Sequence, residues 1–205
     1  MRKELIIGLR VTAVTLVLTG LVYPLVTTGL ARVLFSYRSA GSFVTDEHGR
    51  VVGSELIGQG FSGPGYFHSR PSAAGKDGWD PTSSSGTNLG PTSKKLQDST
   101  AEALRKLQNE NPGAPGPAPV ELVTSSGSGL DPHLSPAGAL WQVPRVARAR
   151  HVSEDRVKML VESLTERRDL LVLGEPRVNV LTLNIALDRQ FGSPAPGGTS
   201  ATRGP

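Results

Sequence analysis

From Val11 to Ala31 the chain runs for 21 residues without a charge, VTAVTLVLTGLVYPLVTTGLA, and nothing else in its 205 residues resembles this stretch. A helix needs about 20 apolar residues, at 1.5 Å each, to cross roughly 30 Å of hydrocarbon, so the run is long enough for one pass. Whatever follows must then fold beside a membrane. A secretory signal is the competing reading, because Arg2 and Lys3 precede the run. Against it, the run exceeds the roughly 7 to 15 residues of a signal core. The following ARVLFSYRSA also continues amphipathically, without a clear small-x-small cleavage site. An anchor is the better reading. Arg2, Lys3 and Arg10 precede the span while Arg32 and Arg38 follow it, so the positive-inside bias favours a cytoplasmic N-terminus by a small margin.

Gly8, Thr12, Thr15, Thr19 and Tyr23 recur at spacings of three and four, which puts small and hydroxyl-bearing side chains on one helical face. In lipid, helices associate through close backbone approach and interhelical hydrogen bonds, so such a face suits a neighbouring helix. The same threonines satisfy themselves equally well on their own i−4 carbonyls and then face lipid. Pro24 bends the helix or marks its outer third.

Beyond residues 1–34, with the span core at 11–31, roughly 150 residues remain, enough for one domain with a real core, expected over 35–191. Aromatics make up 5% of the chain against 24 glycines and 16 prolines, so turns and loops should be abundant and aliphatic side chains should fill the core. With no cysteine, disulfides, thiolate metal sites and cysteine nucleophiles are excluded. The net charge of +4 is spread out, with no basic block and no interleaved aromatics to argue for nucleic acid.

Short apolar runs on either side of Asp46-Glu47-His48-Gly49 predict a β-hairpin. The stretch from Phe61 to Pro91 is dominated by Gly, Pro, Ser, Asn and Asp; its Phe61, Tyr66, Phe67 and Trp79 argue for an ordered, packed loop. A helix follows at about 93–109, capped by Thr92 or Ser93. NPGAPGPAP (111–119) is a stiff connector, and Val120 to Thr124 reads as a short strand. Pro136 after Ser135 predicts a helix start, and Pro144 divides the following stretch into two short pieces. Ser153 caps another helix, with Val157, Leu160, Val161 and Leu164 on one stripe. In RVNVLTLNIALD, Leu181, Leu183, Ile185 and Leu187 alternate, which reads as a central strand. Residues 192–205 are low in complexity and expected to be disordered. The whole is an α+β chain, one N-terminal transmembrane helix followed by a single loop-rich mixed domain.

The most suggestive soluble motif is SSGSGLDPH, from Ser125 to His133. As a phosphate cradle it has Ser126, Gly127, Ser128 and Gly129 but lacks the Gly-Lys-Ser/Thr ending of a P-loop. As a hydrolase it offers Ser128, Asp131 and His133, yet no G-x-S-x-G elbow surrounds them. As plain structure it is a tight turn in which Asp131 caps a turn opened by Pro132. His48, His68, His133 and His151 show no i, i+4 pairing, so no metal site is expected. Arg145, Arg148, Arg150, Arg156, Arg167 and Arg168 cluster around the late helices, a pattern that fits an acidic partner but more often marks a solvated face. Arg70, Asn88 and Gly90 in the long loop are possible binding residues, although turn geometry explains Asn and Gly equally well.

Four segments occur in order behind the single span: GQGFSGPGYFHSRPSA (58–73), SSGTNLGPTSKKL (84–96), VTSSGSGLDPHLSPAGALWQVPRVARAR (123–150) and LGEPRVNVLTLNIALD (173–188). Together they closely resemble the potassium-transporting ATPase C chain, the KdpC family. Departures are small: Trp79 stands where a tyrosine is usual, Thr87 where a serine is usual, and Pro144 interrupts the QV-x-RVA stretch. The resemblance implies a non-catalytic subunit of a high-affinity, ATP-driven potassium uptake complex in the cell membrane of a bacterium. Its implied partners are a channel-like potassium-binding subunit, a P-type ATPase subunit and a small membrane subunit, besides the lipid bilayer. The family is described as assembling the complex and as a catalytic chaperone raising the ATPase subunit's affinity for ATP. ATP would then be met only through the complex, with no firmly bound cofactor and no catalytic residue in this chain. Candidates for nucleotide or partner contact are Ser126, Gly127, Ser128, Gly129, Asp131 and His133. Expected partner contacts are Gly8, Thr12, Thr15, Thr19, Arg70, Asn88, Gly90, Gln142 and Arg145. An N-in topology places the SGSGLDPH loop across the membrane from cytoplasmic ATP, which favours a domain docked over the potassium entrance.

Overall fold

The computed structural model describes residues 2–46 and 49–194; Glu47 and His48, expected at the hairpin tip, and the tail beyond Pro194 lie outside the described residues. The chain divides into two compact units, one ending at Phe43 and the other beginning at Val44. The first comprises α1 (Arg2–Val17), a π-helical turn (Leu18–Val22), α2 (Tyr23–Leu34) and the single turn α3 (Ser36–Ser39). Arg2–Leu34 is one continuous 33-residue helix, long and apolar enough to cross a membrane, so the helix extends past 11–31 at both ends. The wide turn lies just ahead of Pro24, which has no N–H to give, and the Tyr23 N–H reaches back to the Leu18 carbonyl. Thr19 and Thr27 each donate to an i−4 carbonyl, Thr15 and Tyr23 respectively, both at 2.8 Å.

A two-stranded sheet of β1 (Phe43–Thr45) and β2 (Val51–Ser54) begins at the boundary, with all but its first residue in the second unit. Its turn is fixed by the Asp46 N–H donating to the Arg50 carbonyl at 2.9 Å, with Gly49 at φ 74°. A second, antiparallel sheet runs in the order β3 (His133–Leu134), β5 (Arg177–Asn179), β4 (Thr165–Glu166), with His133 opposite Asn179 and Thr165 opposite Val178. Around it lie α4 (Lys94–Glu110), α5 (Pro136–Arg150), α6 (Glu154–Ser163) and α7 (Val180–Phe191). The class is α+β, as the order of elements predicts. Phe67, Val146, Val157, Val161, Leu183 and Leu187 are fully buried at its centre. Each such side chain contributes about 1.5–3 kcal/mol through removal from water.

Ser93 and Ser135 cap α4 and α5 as expected, their hydroxyls accepting from the Leu96 and Gly138 N–H groups. Three predicted elements differ. Val120–Leu122 is a 3₁₀ turn, stabilised by Thr124 Oγ1 donating to the Val120 carbonyl at 2.9 Å, not a strand. Pro144 does not divide α5, which runs unbroken through it; the helix is buried along this stretch, and packing outweighs the roughly 3 kcal/mol cost of an interior proline. The expected central strand is confined to Arg177–Asn179. From there Asn179 becomes an N-cap, accepting from the Thr182 N–H at 3.2 Å, and Val180, Leu183, Asn184 and Leu187 turn one helical face into the core. Gly192, at the end of α7, is held by Arg150, whose Nη1 donates to its carbonyl at 2.6 Å.

Candidate functional site

The loop from Gly63 to Arg70 has no ladder of its own, yet Phe67 is fully buried, so its backbone polar groups need partners from elsewhere. Two amide side chains supply them. Asn184 Oδ1 accepts from the Phe67 N–H at 2.8 Å and its Nδ2 donates to the Phe67 carbonyl at 3.0 Å. Gln142 does the same for His68, at 2.9 and 3.1 Å. Each amide stands in for a neighbouring strand's peptide group.

Two arginines complete the clamp. Arg145, 5% exposed, donates to the carbonyls of Pro64 (2.7 Å) and Tyr66 (2.9 Å), to Gln142 Oε1 (2.7 Å) and to Asn111 Oδ1 (2.9 Å). Burial lowers its pKa to about 10, opposed by the charge of Glu110. Arg150 donates to the Gly65 carbonyl (2.6 Å), pairs with Asp188 (2.7 Å) and lies 4.9 Å from the Tyr66 ring centroid. The Tyr66 hydroxyl donates to Asp188 at 3.0 Å; burial first, then the Asp188 charge, pushes its pKa up. His68 sits between Arg145 and Glu110, and its pKa falls to about 4, chiefly through burial and then through the Arg145 charge.

The SSGSGLDPH segment packs against the long loop. Ser128 O accepts from the Ser85 N–H (2.9 Å) and the Ser84 hydroxyl (3.0 Å), and Gly129 O from the Ser72 hydroxyl (2.5 Å). Gly129 has φ 69°, and a Cβ there would lie 2.6 Å from Ser85 O and 2.7 Å from Ala74 N, so only glycine fits. Asp131 accepts from the His133 N–H at 3.0 Å and pairs with Arg70 at 3.1 Å, the local turn that Asp-Pro predicts. Arg70 Nη2 reaches the Ser125 carbonyl at 3.5 Å, and its buried Nε has no partner.

A hydrolytic triad is not assembled here. The Ser128 hydroxyl accepts from the Leu130 N–H at 3.1 Å, while the His133 ring faces Asp131 at 3.8 Å. Burial lowers the His133 pKa, against the opposing charges of Asp131 and Glu166. Among the described residues no three His, Asp or Glu side chains gather as a metal site.

These segments are the ones that carry the resemblance drawn from sequence, and the family described as the K+-transporting ATPase, c chain, matches residues 5–189. The chain belongs to the KdpC family. The potassium-transporting ATPase KdpC subunit of Myxococcus xanthus is 62% identical over 185 residues, covering 90% of this chain and 87% of the relative. That of Koribacter versatilis is 52% identical over 196 residues, covering 96% and 100%, and that of Methylobacterium nodulans 50% identical over 205 residues, covering 94% and 98%. As a KdpC subunit, the chain is part of a K+-transporting ATPase, and its apolar N-terminal helix associates it with the membrane.

The expected contact residues fall into three groups. Gln142 and Arg145 are buried and bonded to the 63–68 loop, so they shape a KdpC surface from beneath instead of forming it. Asn88, at φ 51°, and Gly90 are exposed in the loop ahead of α4, while Arg70 is half-buried against Asp131. Gly8, Thr12, Thr15 and Thr19 lie along the exposed anchor helix. Ser126 and Gly129 are buried, whereas Gly127 and Ser128 are exposed. The basic cluster reads from sequence as a solvated face, and Arg145 also as a partner contact, whereas Arg145 and Arg150 are buried; Asn184 carries no such reading. The available signal was a polar side chain at a core position of an apolar helical face: Asn184 lies four residues after Val180 and three before Leu187.

Proposed function

We propose that this chain is a non-catalytic subunit that assembles and stabilises the potassium-transporting ATPase. Its anchor runs N-terminus-in, and its α+β domain docks outside the cytoplasm over the potassium entrance of a channel-like subunit. The observation carrying this reading is the inward commitment of the polar side chains. Gln142, Asn184, Arg145 and Arg150 all hold one loop surface in shape, an arrangement suited to presenting a fixed face to a partner. The serine, aspartate and histidine that tempt a hydrolytic reading are tied into turns. The partners on this reading are the channel-like subunit, the P-type ATPase subunit and the small membrane subunit. A chaperone effect on ATP affinity would pass through the assembled complex, because an outward domain lies across the bilayer from cytoplasmic ATP.

Two measurements test it. A strain lacking the chain should fail to grow at micromolar potassium and recover with the chain restored; normal growth of the deletion strain overturns the proposal. A reporter fused at the C-terminus should read out on the extracytoplasmic side. Cytoplasmic accessibility overturns the docking site and brings direct nucleotide contact back into consideration.

A further inference from the structure

The connection from β4 to β5, residues 167–176, carries four consecutive aliphatic residues in its middle, Leu170, Leu171, Val172 and Leu173, which are 82, 80, 72 and 57% exposed. Outside the anchor helix no other described stretch exposes such a run. Leu170 and Leu171 both have positive φ, 51° and 68°, where bulky L residues are outliers that only a determined surrounding sustains. That surrounding is visible. Asp169 and Leu173 exchange two backbone hydrogen bonds of 2.8 Å, and the Leu171 and Val172 N–H groups donate to the Arg168 and Asp169 carbonyls at 3.2 Å. Below them, Arg168 pairs with Glu175 at 2.6 Å, and Arg177 with Glu166 at 2.9 Å and Asp169 at 3.4 Å. The tip is therefore a clipped, shaped projection.

Exposed apolar runs in a folded domain mark contact with protein or with lipid. Two observations favour protein. Surface attachment to lipid draws on surplus cations and interfacial Trp or Tyr. Here the three arginines Arg167, Arg168 and Arg177 are matched in number by the three acids Glu166, Asp169 and Glu175, with Arg168 and Arg177 paired to them, and no aromatic residue is near in sequence. A fixed backbone in a costly conformation also gains nothing from a fluid partner, whereas it lowers the ordering cost of entering a shaped one. We propose that Leu170–Leu173 is a preformed plug that seats in an aliphatic socket with an uncharged rim on another subunit of the same ATPase. This rests on the assembly role proposed above.

The cysteine-free chain makes the test direct, since Leu171→Cys creates a single labelling site. The full-length chain, labelled there with bimane in detergent, should shift its emission to the blue only when the remaining subunits are added. A blue shift with phosphatidylethanolamine–phosphatidylglycerol vesicles alone assigns the tip to lipid and overturns the proposal. An unshifted signal in the assembled complex overturns it equally. In parallel, the paired Leu171→Asp and Val172→Asp chain should keep the parent's unfolding midpoint, since both side chains are exposed, and capture the other subunits about tenfold less. Undiminished capture removes the plug but leaves the assembly role standing. A complex that forms normally with this chain deleted removes the assembly role itself.

Discussion

Gln142 holds both backbone groups of His68, accepting from its N–H at 2.9 Å and donating to its carbonyl at 3.1 Å across 74 residues of sequence. A helix side chain thus does for one loop residue what a neighbouring strand would do. Gln142→Leu keeps the volume but orphans both groups beneath the surface, along with one acceptor of Arg145. Each buried unsatisfied group costs about 1–3 kcal/mol, so the substitution should lower unfolding stability by about 2–5 kcal/mol. Urea unfolding of the full chain in detergent, followed by circular dichroism, measures this. A loss below about 1 kcal/mol would show that water replaces the amide.

Arg145 ties its own helix to the end of α4 and to the 63–68 loop at once, with donors fixed in a planar fork. Arg145→Lys retains the charge but has three donors on one nitrogen, too few and too close together to serve Asn111, Gln142 and the two loop carbonyls. Hydrogen exchange should then accelerate at the amides of residues 65–68 by about tenfold or more, as opening of that loop becomes easier by roughly 1.4 kcal/mol or more. Unchanged exchange there would mean that Gln142 and Asn184 alone hold the loop.

Much of this frame was legible locally, and the rest was not for a physical reason. The caps at Ser93 and Ser135 and the proline at 136 act within three residues, so the sequence displays them. The Asp131 turn is likewise local, and Asp-Pro announces it. The segment from Val180 to Leu187 is so apolar that it satisfies a period of two and a period of 3.6 at once. What decides between them is that Val178 and Asn179 already fill the register opposite β3, after which the chain must turn. Arg145 and Arg150 are charged, and charge argues for solvent; their burial depends on carbonyls about 80 residues away, which no local pattern contains. Asn184 goes unnoticed for the same reason, and Gln142 is named from the resemblance as a partner contact without its hold on the His68 backbone 74 residues away.

His68 supplies a pH dependence of definite sign. Its pKa is lowered from 6.5 to about 4 in the folded chain, so between those values the unfolded chain binds more protons than the folded one. The neutral ring's contribution is complete above pH 6.5 and is lost as pH falls towards 4. The slope should approach about 1.4 kcal/mol per pH unit from this one residue in the middle of the window. His68→Asn removes the proton site, so its unfolding free energy should fall less steeply than the parent's between pH 6.5 and pH 5, above the range where most carboxylates titrate. Parallel slopes for the two chains would place the acid sensitivity elsewhere.

Ser128 and His133 separate a structural motif from a reactive one. The Ser128 hydroxyl is exposed and accepts one local N–H, and the His133 ring is half-buried beside Asp131 with no bond to Ser128. Ser128→Ala should cost at most about 1 kcal/mol of stability, the value of one exposed turn hydrogen bond. Both Ser128→Ala and His133→Ala should leave potassium uptake within about twofold of the parent, because neither side chain holds the loop platform built on Arg145 and Gln142. Removal of a general base instead costs about a hundredfold or more. Uptake measured at micromolar potassium in strains carrying each variant reads the difference. A hundredfold loss for both, with unfolding midpoints unchanged, would restore the reactive reading of the SSGSGLDPH segment against the turn that its hydrogen bonds describe.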